Sequence, residues 1–72
     1  MTFTIRVIDS VNNSEELFLA DTVKAYKDGH TNPIVPPDGG LLYTLHGKEE
    51  LICDGVVYVM NDQGQTVAKY RF

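Results

Sequence analysis

A chain of 72 residues with ten acidic and six basic side chains, net charge −4, lies near the lower size limit for a domain that folds on its own core. The acidic balance argues against a nucleic-acid binder, which needs clustered Lys and Arg to meet phosphates. A hydrophobic content of 43% suffices for one small core and so for a single domain over residues 1–72, but the lone Cys53 leaves no intramolecular disulfide to staple it.

Thr2–Ile8 alternates. Phe3, Ile5 and Val7 fall on one side and Thr2, Thr4 and Arg6 on the other, and period two with β-branched residues predicts a half-buried strand. Asp9–Asn13 supplies turn-forming side chains. Over Ser14–Asp28, at about 100° per residue, Phe18, Leu19, Thr22, Val23, Ala25 and Tyr26 share one arc, with Asp21, Lys24, Lys27 and Asp28 opposite. That spacing predicts a helix. Asn13 or Ser14 would cap it, Glu15 and Glu16 suit its positive end, Lys24 and Lys27 its negative end, and Gly29 would close it. The competing reading makes Glu16–Ala20 a strand in a hairpin with Thr2–Ile8, against which its alternation is poor.

His30–Gly40, with three prolines and two glycines, is expected to be a loop. Ile34 and Val35 within it either tuck against the sheet or stand exposed. Leu41–Leu45 reads as a strand, with a helical turn ended by Gly47 as the alternative. Glu49–Phe72 reads as a three-strand meander. Asp54-Gly55 between apolar runs is a strong hairpin signal, and Asn61-Asp62-Gln63-Gly64 fits a type I turn with a left-handed glycine and a G1 bulge.

Those turns imply a register: Cys53 opposite Val56, Ile52 opposite Val57, Met60 opposite Thr66 and Val59 opposite Val67. One face then carries Leu51, Cys53, Val56, Tyr58, Met60, Ala68 and Tyr70, the expected core. The other carries Ile52, Val57, Val59 and Val67 inside a rim that includes Lys69 and Arg71. The fold class expected is α+β: a small four-stranded, mainly antiparallel sheet with one helix packed on one face and the meander at the C-terminus. In such a fold the uncovered face should be polar, so an aliphatic patch there marks an interaction site, unless Ile34, Val35 or Leu41–Leu45 covers it.

Motifs for chemistry are sparse. His30, His46 and Cys53 match no closed zinc spacing, and Cys53 beside a turn on the core face is expected to be a buried, inert thiol rather than a nucleophile served by His46. Pro37-Asp38-Gly39-Gly40 lacks the lysine of a phosphate loop. Lys69 and Arg71 are too few for an RNA-binding sheet. No cofactor and no metal are expected.

No apolar run approaches a bilayer span, and MTFTIRV lacks the features of a signal peptide. With a free cysteine, this suggests a cytoplasmic protein with no membrane partner. Asn12-Asn13-Ser14 matches a glycosylation sequon by chance. The expected function is a small non-enzymatic protein-binding module, an inhibitor or regulator that occupies a surface of a larger protein. Phage and mobile-element accessory proteins include such types. The expected contact residues are Ile52, Val57, Val59, Val67, Lys69 and Arg71. A homodimer through the same face is the alternative, and a small metal- or thiol-dependent enzyme the third reading. Either edge strand, Thr2–Ile8 or Thr66–Phe72, offers a second way to recruit a strand.

Overall fold

The structure is a computed structural model that describes residues 2–9, 11–27, 29 and 31–72. Ser10, Asp28, expected at the helix end, and His30, weighed as a zinc ligand, lie outside the described residues. Seven strands follow in order: β1 (Phe3–Asp9), β2 (Ser14–Ala20), β3 (Thr22–Tyr26), β4 (Gly40–Leu45), β5 (Lys48–Ile52), β6 (Val56–Met60) and β7 (Thr66–Arg71). They form two sheets, β2-β1-β6-β7 and β3-β4-β5, with every pairing antiparallel. The α+β expectation is therefore corrected: the fold is all-β, and the described residues contain no helix.

The expected helix over Ser14–Asp28 is replaced by two strands, for a physical reason. In β2 the even residues face the core: Phe18 is half-buried and Ala20 fully buried. At Asp21 the chain leaves the first sheet for the second. The Asp21 N–H donates to the Thr44 carbonyl at 2.6 Å, and its carboxylate accepts the His46 N–H at 3.0 Å. Past that switch the odd residues turn inward, so Val23 and Ala25 pack on the core. Inward positions at 18, 20, 23 and 25 are a period of two with one slip, and a slipped period of two imitates a period of 3.6. The hairpin of β1 with β2, running from Phe3↔Ala20 to Asp9↔Ser14, is the competing reading of the sequence.

Leu41–Leu45 is a strand, as the sequence suggests, within β4. His46 and Gly47 both have positive φ, 53° and 81°, and form the two-residue turn into β5. Inside the loop, Val35 is buried while Ile34 stands exposed.

The meander needs two corrections. First, Asp54-Gly55 does not close a hairpin. β5 pairs with β4, where Leu41 opposes Ile52, while β6 lies between β1 and β7 in the other sheet. Gly55 instead exchanges backbone hydrogen bonds with Phe72, at 3.2 and 3.0 Å. A two-residue turn signal cannot compete with β6 burying itself as a central strand. Second, the turn from Asn61 to Gln65 forms as expected, with Gly64 at φ 80° and the Asn61 N–H bonded to the Gln65 carbonyl. The register beyond it slips by one. A bulge between Val59 and Met60 on the β6–β7 ladder leaves Val67 unpaired, so Val59 opposes Ala68 and Tyr58 opposes Lys69.

The core joins both sheets. Ile5, Val57 and Val59 of the first pack with Leu41 and Tyr43 of the second, and Ala20 sits where the chain crosses. Phe18 and Tyr43 bridge the sheets with ring centroids 5.8 Å apart.

Candidate partner-binding face

The bulge splits the expected site. Val57 and Val59 are 0% and 3% exposed and form the core. They are not an open face: of the residues expected to be core, Val56, Tyr58 and Met60 turn outward, while Ala68 and Tyr70 share the inward face and pack on the core. Ile52 is half-buried in β5, in the other sheet, packed against that core. Lys69 and Arg71 lie on the outer face of the first sheet with Tyr58 and Val56, and Val67 stands exposed at the bulge. The six residues are not one patch: the structure brings only Lys69 and Arg71 together on an accessible surface.

What that surface consists of follows from the ladder. Side chains alternate, so with Ile5, Val57 and Val59 inward, their neighbours point outward in three cross-strand rows. The first row is Glu15, Ile8, Val56 and Arg71. The second is Leu17, Arg6, Tyr58 and Lys69. The third is Leu19, Thr4, Met60 and Thr66. Leu17 and Leu19 are 62% and 55% exposed. Tyr58 lies between two cations, with the Arg6 guanidinium carbon 5.8 Å and the Lys69 ammonium 5.4 Å from its ring centroid. Those distances suit a cation–π contact.

Arg6 also donates to the Glu15 carboxylate at 2.8 Å. That hydrogen bond and its charge hold Glu15 below the ordinary carboxylate range and raise Arg6. Among the described residues neither Lys69 nor Arg71 forms an ion pair. The three rows therefore carry Arg6, Lys69 and Arg71 against the single acid Glu15, a basic face on an acidic chain. At Leu19 the face runs into an open groove of about 440 Å³ between the end of β2 and the β4–β5 hairpin, where Phe18, Tyr43 and Leu51 add apolar wall. Burial, followed by the charges of Glu50 and Glu16, raises the Tyr43 hydroxyl pKa.

The sequence carried a signal for Leu17 and Leu19. Leu17-Phe18-Leu19-Ala20 is apolar at four successive positions, which in a strand means apolar on both faces. Assigning the segment to a helix hid it. Tyr58 and Arg6 were hidden by the register.

The groups weighed for chemistry are dispersed. Cys53 is exposed, correcting the buried thiol expected from the meander. His46 sits at the turn before β5 and Cys53 just past its end, so a strand length on the order of 17 Å separates them. Among the described residues no three His, Cys, Asp or Glu side chains gather to hold a metal, and no helix is long and apolar enough to cross a membrane. Comparison with protein-family models, with curated proteins and with solved structures finds no match for this chain.

Proposed function

We propose that this chain is a small non-enzymatic protein-binding module, an inhibitor or regulator that works by covering a surface of a larger protein. The supporting observation is the outer face of β2-β1-β6-β7: exposed Leu17 and Leu19 beside a Tyr58 held between Arg6 and Lys69. Tyr and Arg are enriched at binding hot spots and Met at protein interfaces. Exposed leucines around a rigid aromatic give the apolar centre such an interface needs. The surplus of cations gives the partner its chemistry: an acidic protein surface with apolar side chains at its middle. Lys69 and Arg71 keep the contact role expected of them, at the rim. The exposed free thiol of Cys53 suits a reducing compartment, and we place the protein in the cytoplasm on that ground.

The test is site-specific photo-crosslinking in the host cell. A crosslinker at Leu17 should capture one partner chain, one at Thr44 on the outer face of the other sheet should not, and Tyr58→Ala should abolish the Leu17 capture. Equal capture from both positions, or a Leu17 capture unchanged by Tyr58→Ala, would remove the face from consideration.

A further inference from the structure

The two edges of the four-stranded sheet fit each other, and the geometry points to head-to-tail assembly: β7 of one copy pairs antiparallel with β2 of a second copy. This inference rests on the backbone edges of the sheet rather than on its outer face, although the side chains of Glu15, Leu17, Lys69 and Arg71 belong to both.

It follows from the ladder. Gly55 and Phe72 exchange hydrogen bonds in both directions. In an antiparallel pair such residues alternate with pairs whose backbone groups point away. Counting along the register, Tyr70 and Ala68 bond to β6, while the N–H and C=O of Lys69 and Arg71 point to the open edge. Carrying the alternation across β6 and β1, Glu16 and Phe18 bond inward to β1. Glu15 and Leu17 then present their backbone groups at the opposite edge. β7 runs antiparallel to β6, β6 to β1 and β1 to β2. A copy placed alongside in the same orientation therefore offers its β2 to β7 in antiparallel sense.

If the cross-strand rows continue unbroken, Arg71 faces Glu15 of the second copy and Lys69 faces its Leu17, with matching backbone donors and acceptors. Charge favours this pairing over the symmetric ones. Two β7 edges would bring Lys69 and Arg71 against themselves, and two β2 edges would give Glu15 and Glu16 no cation from the second copy. A heterologous contact of this kind does not close and builds an open chain of copies. One strand edge buries far less than the roughly 1,600 Å² of a standard interface, so the association is weak.

Sedimentation equilibrium of the whole chain, from about 10 μM to about 1 mM, should show the mean mass rising from 8.0 kDa to at least twofold. Arg71→Glu and Glu15→Arg should each hold the mass at the monomer value. The doubly reversed protein, or an equal mixture of the two single variants, should restore the rise. Hydrogen exchange of the wild-type protein reads the contact without any substitution: the Lys69 and Arg71 amides should exchange more slowly as concentration increases. A mass constant at 8.0 kDa throughout, or association unmoved by the charge reversals and without protection at Lys69 and Arg71, overturns the proposal.

Discussion

Gly55 shows how one position can decide a crossing. Its φ is +102°, and a Cβ placed there would lie 2.6 Å from the Ile8 carbonyl oxygen, a backbone atom that cannot swing aside. Gly55→Ala combines left-handed strain with a main-chain clash. It should cost about 2–4 kcal/mol, read as a lower urea midpoint.

Asp9 makes a different kind of contribution. Its carboxylate accepts the Val11 and Asn12 backbone N–H groups and the Asn12 amide, which lowers its pKa. Because the folded pKa lies below the unfolded value of about 3.9, this stabilisation is present above the unfolded value and is lost as pH falls through the folded one. Glu15, lowered by Arg6, adds in the same direction. Between about pH 5 and pH 2, Asp9→Asn and Glu15→Gln should therefore lose less stability than wild type, as urea titrations at several pH values would show.

β2 and β6 each divide their side chains between core and solvent, and substitutions on the two sides should behave differently. Val57→Asp buries an unpaired carboxylate in a site with no exposure and should leave the chain unfolded. Leu17→Asp on the outer face should change stability by no more than about 0.5 kcal/mol. Leu41→Ala, in the other half of the core, should cost about 2–5 kcal/mol. The replacement of the helix by β2 and β3 is open to direct measurement: far-UV circular dichroism should show a β spectrum without the paired helical minima. The misleading feature was the parity slip at Asp21, which no residue-by-residue propensity records. Thr22, Val23 and Tyr26 are strand formers, but the helical arc and the well-placed charges at both ends outweighed them.

The molecule holds together because its two sheets close on one cluster of Ile5, Ala20, Leu41, Tyr43, Val57 and Val59. That closure relies on distant partners: β1 pairs with β6 across most of the chain. Loop-closure entropy must be met before such contacts form. Refolding followed by tyrosine fluorescence should accordingly take milliseconds to seconds, and microsecond folding would contradict this topology.

By itself, the amino-acid order determined what local chemistry can determine. It marked β1 by alternation, the loop expected over His30–Gly40 by its prolines and glycines, although Gly40 opens β4, and the Asn61-Asp62-Gln63-Gly64 turn by its left-handed glycine, where the Asn61 side chain also bonds the Gln63 and Gln65 amides. The tertiary structure alone decided which strand lies beside which. Asp54-Gly55 has the residues of a hairpin, yet β5 gains more beside β4 and β6 gains more as a central strand beside β1, because only there are Val57 and Val59 fully removed from water. It also decided the face. The one-residue bulge at Val67 turns Lys69 and Arg71 to the outer face, where they join Tyr58 and Val56. Strand side chains repeat every two residues, so a single extra residue exchanges inside for outside, and only the packed core shows where that residue falls.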